Sequence, residues 1–242
     1  MEKKYKLTEE TINVDGRILH RIEALRDFSY IRQGDKGGFV EGESNLSQSG
    51  NCWVYGNAKV CDKAMVYDNA KVYDNVMVCD EAIVCDNAEV YDYSWIYDNA
   101  TVCHNTKIYG SVKIYDKAVV CGNAEVCENA EVYGNAKVCG NAEVYGNAKV
   151  CGDAKVCGDA KVYGHAEIRG NAIVANDSDY IVFKNWWSSG RYFTWTKSNN
   201  MWKVGCFHGT GKELIEKAYK DSELSGREYE RIVKYVNTIK GN

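Results

Sequence analysis

The sequence predicts a mainly β chain: one parallel β-helix of three-sided, 18-residue coils, with an N-terminal β cap and a small C-terminal α+β module. Three observations predict it. From Val54 through Val174 every sixth residue is Val or Ile, without interruption. Four residues after each comes a small or modest side chain, mostly Ala (Ala58, Ala64, Ala70, Ala124, Ala136, Ala160), with Val76, Ser94, Thr106 and Val112 as variants. Third, similar residues recur 18 positions apart.

A short fixed period is the mark of a repeat architecture. The typical unit is Val-Tyr/Cys-Gly/Asp-Asn-Ala-Lys/Glu. Ala and the next Val are two apart, so they share one face of a short strand and both point inward. Lys or Glu between them faces solvent, and Gly/Asp-Asn supplies a bend where positive φ is tolerated. A helical period of 3.6 fits none of these rows. Coils of 18 residues stack as parallel strands about 4.8 Å apart, giving about seven coils and a rod roughly 34 Å tall.

Stacking also predicts vertical ladders. Tyr55, Tyr73, Tyr91, Tyr109, Tyr145 and Tyr163 form one, broken by Cys127; Cys85, Cys103, Cys121, Cys139 and Cys157 form a second. The third mixes Cys61, Cys79, Tyr97, Tyr115, Tyr133 and Cys151. Because these residues directly follow the inward Val, they are placed outside. Two roles stay open for them. Stacked rows support the strands they flank, or the Tyr ladder is an oligomer seam or ligand platform, since wide apolar surface usually has a partner.

This spacing resembles the left-handed β-helix of hexapeptide-repeat acyltransferases. That resemblance implies left-handed coils and a homotrimer. Within residues 1–53, assigned to the cap, Thr11-Ile-Asn-Val-Asp-Gly-Arg-Ile-Leu-His reads as a hairpin turning at Asp15-Gly16. Gly34-Asp-Lys-Gly-Gly-Phe-Val and Asn45-Leu-Ser-Gln-Ser-Gly-Asn-Cys-Trp-Val-Tyr closely resemble the start of YdcK-like hexapeptide proteins, over about 30 residues before the repeat. The resemblance implies a capped β-helix and an acyl-transfer label.

The repeat, taken as residues 54–176, stops after Asn176, and residues 177–242 form the C-terminal module. Asp179-Tyr-Ile-Val-Phe-Lys, Arg191-Tyr-Phe-Thr-Trp-Thr and Met201-Trp-Lys-Val-Gly-Cys-Phe read as three strands. Thr210-Gly-Lys-Glu213 and Ser225-Gly-Arg-Glu228 read as capping boxes opening two helices. Gly205-Cys-Phe-x-Gly-Thr and Arg227-Glu-Tyr are similar to terminal modules of hexapeptide-repeat proteins carried by phages and prophages. That similarity implies a mobile genetic origin and makes sequestration of a host immune signal an expectation.

Charge narrows the partners. The repeat carries 11 Lys/Arg against 17 Asp/Glu, whereas residues 175–242 carry 11 against 8. An acidic rod repels phosphates, so duplex nucleic acid is not expected and an anion belongs near the basic module. The absence of a signal segment and of long apolar runs, with nine of 11 cysteines in one repeat position, predicts a cytoplasmic protein with reduced thiols and no membrane partner.

No catalytic residue is assigned. His104 and His165 are the repeat's only histidines and sit at bends, and the unbroken period leaves no inserted loop to cover a substrate. Lacking Cys-x-x-Cys or Cys/His clustering, the chain is expected to hold no metal and no cofactor. A nucleotide-like anion would suit a helix N-terminus at Thr210 with Lys212, Lys203 and His208 near flat rings. The candidate set adds Trp186, Trp187, Arg191, Tyr192, Trp195 and Trp202. The same aromatics would equally serve as the module's core. The expected function is therefore a non-catalytic, trimeric binding protein for a small nucleotide-like signal, with an acyltransferase or a self-assembling β-helix protein as the alternatives.

Overall fold

The computed structural model describes residues 2–239. The N-terminal hairpin pairs β1 (Tyr5–Val14) with β2 (Arg17–Ala24), Val14 opposite Arg17. Its turn is Asp15-Gly16, and both residues have positive φ (50° and 87°), the pairing a two-residue hairpin loop requires. β2 then runs antiparallel to β3 (Lys36–Val40), which is parallel to Lys59–Val60. The hairpin therefore caps the rod by extending one of its sheets.

Parallel pairing begins upstream of Val54. Val40 opposes Val60 and Leu46 opposes Val66, twenty positions on, whereas Val54 opposes Val72, eighteen on. Two extra residues between Leu46 and Val54 shift the phase, which hides this rung from a search at period six.

From Trp53–Val54 to Ile173–Val174, strands of two to four residues follow one another around a left-handed helix of stacked coils. They fall into three parallel sheets. The first holds Lys59–Val60 and ends at Glu167–Ile168; the second runs from Trp53–Val54 to Lys161–Val162; the third runs from Met65–Val66 to Ile173–Val174. Every Val/Ile of the inward row and every Ala beside it is fully buried. Rungs are held by backbone bonds between neighbouring coils, such as Lys59 N–H to the Val76 carbonyl at 2.9 Å. Each corner is a turn whose first residue is the ladder Tyr or Cys: the Ala58 N–H donates to the Tyr55 carbonyl (3.1 Å), and that of Ala64 to Cys61 (3.2 Å). The ladders thus run along the edges of the prism. Except at His104 and Glu128, the second turn residue is an Asp or Gly, with positive φ of 57° at Asp62 and 75° at Gly140.

After the last coil, β4 (Tyr180–Lys184), β5 (Tyr192–Thr196), β6 (Met201–Val204) and β7 (Phe207–Gly209) form an antiparallel sheet, followed by α1 (Gly211–Asp221) and α2 (Glu223–Ile239). The sheet has four strands where the sequence predicts three, because Phe207–Gly209 is too short to show a period. Thr210 caps α1 as expected, accepting from Glu213 N–H while the Glu213 carboxylate accepts from Thr210 N–H. The second helix starts two residues before the predicted Ser225, whose N–H instead donates to the Ser222 hydroxyl at 3.1 Å. Gly226 lies within α2 because a Cβ there would stand 2.2 Å from the Tyr219 ring of α1.

The module covers the open end of the rod and supplies an acceptor to the last strand of each sheet. In the final strands the N–H groups of Lys161, Glu167 and Ile173 donate to Asp177 (2.7 Å), Thr194 (3.0 Å) and Ser198 (2.7 Å). Side-chain oxygens stand where the next coil's carbonyls would be, so one donor on the last rung of each sheet is satisfied where the parallel stack stops.

Candidate functional site at the junction of coil and module

Where the module meets the last coils, a cleft of about 350 Å³ is lined by Asn147, Lys149, His165, Glu167, Arg191, Tyr192 and Gly205. Each lining residue has a defined origin. Lys149 and Glu167 are outward residues of the first sheet, Asn147 and His165 lie in corner turns, Arg191 directly precedes β5 and Tyr192 opens it. The imidazole of His165 stacks on the Tyr192 ring, centroids 4.0 Å apart.

Behind the cleft the charges are tied together. Glu167 pairs with Arg169 and Lys203, both at 3.3 Å, and the nearly buried Lys203 ammonium also donates to the Gly205 carbonyl. The Arg169 guanidinium reaches back two coils to donate to the Tyr133 hydroxyl at 2.9 Å. Burial, then the neighbouring Cys151, pushes that phenol up to about 12. His208, close to Gly170, is held below the usual imidazole range by burial and by the charges of Arg169 and Lys203, so it is biased toward the neutral form. Lys149 is paired with Glu131 at 3.0 Å. Among the described residues Arg191 has no carboxylate partner, which leaves its guanidinium available to an incoming anion.

Of the residues singled out in the sequence, Arg191 and Tyr192 line this cleft, Lys203 lies behind it on Glu167, and His208 is on the neighbouring strand. Trp186 and Trp187 lie in the β4–β5 loop, 73% and 76% exposed, and the Lys184 ammonium sits 4.2 Å from the Trp186 ring. Trp195 and Trp202 are core residues, 3% and 2% exposed, and offer no ring face to a ligand; Trp202 packs edge-on to Phe193. Thr210 is engaged with Glu213, so the N-terminus of α1 is already satisfied by its own carboxylate, and Lys212 is solvent-facing beside Glu216. Asn147, Lys149, His165 and Glu167 were missed as a group. His165 replaces the usual Asn of the corner turn in the coil next to the module, and that replacement was the available signal.

The Tyr ladder forms a three-ring stack at Tyr55, Tyr73 and Tyr91, with centroids 4.4 and 4.6 Å apart, and Tyr145 stacks on Tyr163. Its hydroxyls bond to charged neighbours: Tyr91 to Glu89 (2.5 Å) and Tyr109 to Glu125. The uncharged outward row lies elsewhere, on the third sheet, at Met65, Ile83, Thr101 and Val119.

The fold is that of a left-handed hexapeptide-repeat β-helix. The chain is 35% identical over 78 residues to a protein of Escherichia coli (strain K12) described as "Uncharacterized acetyltransferase YdcK". That match covers 28% of this chain and 24% of the other, so the chain spans about a quarter of the length of the curated relative it matches. No family model matches the chain. No helix among the described residues is long and apolar enough to cross a membrane.

Proposed function

We propose that the protein binds a small, nucleotide-like anion in the junction cleft and holds it without turning it over. The observation that supports this most directly is Arg191, without an ion-pair partner among the described residues, at the mouth of a cleft that also presents Lys149 and the stacked His165–Tyr192 rings. A guanidinium suits phosphate or carboxylate, and aromatic rings suit a planar base. Such a site would sequester a nucleotide signal in the manner expected from the phage-type resemblance of the module. Self-association is part of the proposal: the third sheet's row of Met65, Ile83, Thr101 and Val119 is the natural contact for a homotrimer.

A second reading, acyl transfer, draws on the 78-residue similarity to the protein named as an acetyltransferase and on His165 in the same cleft. One experiment separates them. Native mass spectrometry of gently purified protein, followed by release of small molecules, should yield a trimer with a nucleotide-like anion recovered unchanged, and Arg191→Ala should lose it. Protein that carries no anion but takes up acyl-CoA and forms product would replace the binding reading with the enzymatic one.

A further inference from the structure

The edge between the third and second sheets carries Cys85, Cys103, Cys121, Cys139 and Cys157 on successive coils. All are free thiols. What distinguishes one rung is the residue that follows each Cys in the turn. After Cys121, Cys139 and Cys157 it is glycine, which brings no ligand; after Cys85 it is Asp86, and after Cys103 it is His104. Coil stacking therefore places a Cys-Asp pair directly against a Cys-His pair.

The sulfurs of Cys85 and Cys103 and a carboxylate oxygen of Asp86 all lie within 4.8 Å of one another. His104 Nδ1 is 3.3 Å from the Cys103 sulfur, and the His104 backbone N–H donates to Asp86 Oδ2 at 2.9 Å, which fixes that carboxylate over the next coil. Asp86 and His104 both hold positive φ, 58° and 63°. Asp and His are both among the non-glycine residues that tolerate that bend. The acidic repeat, with Asp68 adjoining on the same edge, adds a field that attracts cations.

We propose that Cys85, Asp86, Cys103 and His104 form a site for a thiophilic divalent cation, with zinc as the best fit. Two sulfurs and one oxygen within 4.8 Å of one another supply three of the four donors of a tetrahedral set, and the imidazole, beside the Cys103 sulfur but outside that group, turns toward the others to supply the fourth. Ligands at about 2.0–2.3 Å from zinc stand closer together than 4.8 Å. The site therefore closes by a small inward rotation of side chains on the prism surface, without moving the coils. Binding forms two S–Zn bonds and releases the two thiol protons to solvent, with no change of oxidation state. The absence of Cys-x-x-Cys spacing, which argues against a metal in the linear sequence, loses its force here because neighbours on this edge are 18 residues apart. Cys61 and Cys79 offer the nearest comparison, yet there Asp62 is taken by Arg17 at 2.6 Å and Cys79 is followed by Asp80, not by a histidine.

The test is titration of the full-length, reduced, chelator-treated protein with Co²⁺, followed by competition with Zn²⁺. One equivalent should bind with a thiolate-to-cobalt charge-transfer band that Zn²⁺ abolishes. Cys103→Ser should remove the band; Asp86→Asn and His104→Asn, which keep residues suited to the bend, should each weaken binding at least tenfold with an unchanged circular dichroism spectrum. Cys139→Ser should leave it intact. A wild-type protein without the band, full binding by Asp86→Asn and His104→Asn, or equal loss in Cys139→Ser and Cys103→Ser overturns the site.

Discussion

Replacing Thr194 by Val removes one of the three hydroxyl or carboxylate oxygens that close the rod while keeping the side chain's shape. Thr194 is buried, and its hydroxyl accepts the Glu167 N–H at 3.0 Å on the last rung of the first sheet. Without it that part-buried donor loses its protein acceptor. A buried donor left unsatisfied costs about 1–3 kcal/mol. For a chain of this size each kcal/mol lowers the melting midpoint by roughly 2–4 °C, so a loss near 2 kcal/mol amounts to about 4–8 °C. Ser198→Ala removes the equivalent acceptor from Ile173, but both partners are solvent-accessible and water replaces the hydroxyl. Its cost should stay near 0.5 kcal/mol, about 1–2 °C. Thermal unfolding by circular dichroism measures both, and hydrogen exchange at Glu167 should accelerate in Thr194→Val alone. Equal midpoints for the two variants, or unchanged protection at Glu167, would refute the account of how the module ends the stack.

Other perturbations follow from particular contacts. Gly140→Ala places a Cβ 2.8 Å from the Gly158 backbone at positive φ, whereas at Gly56 the nearest atom is 3.6 Å away. Both variants bear a left-handed penalty of about 1–2 kcal/mol, and Gly140→Ala should lose about 1–3 kcal/mol more in urea unfolding. Thr210→Ala should cost about 1 kcal/mol and fray the start of α1, read by hydrogen exchange at Glu213. The fully buried Lys4 ammonium donates to the Cys52 and Ser49 carbonyls, and burial lowers its pKa. Between that lowered value and the ordinary lysine value the unfolded chain binds more protons, so stability should rise with pH across this alkaline window, and Lys4→Met should flatten the rise. Ile83→Glu should shift the assembly to smaller species by light scattering if the third sheet is the contact between copies.

The rod was legible because its inward rows admit so few residue types: a Val/Ile row and a small-residue row at fixed spacing leave one solution for the coil. What escaped did so for physical reasons. Two residues inserted before Val54 broke the phase of an earlier rung, and Ser222 competes with Ser225 for the start of α2 because the turn between helices is a single residue. Trp195 and Trp202 entered the candidate ligand set because sequence alone cannot tell a ring that stacks on a base from a ring that fills a core. The candidate sites themselves depend on departures from the repeat. His104 stands where the bend takes Asp or Gly everywhere but Glu128, His165 replaces the usual Asn of its turn, and Arg169 replaces a ladder Tyr or Cys. Each departure became informative only once the coil supplied its neighbours, placing His104 beside Cys103 and Asp86, His165 against Tyr192, and Arg169 next to Glu167. In a scaffold whose regular positions are fully used by packing and turn geometry, chemistry has room only where the repeat is broken, and such breaks can be read by aligning coils at 18 residues before any ligand is sought.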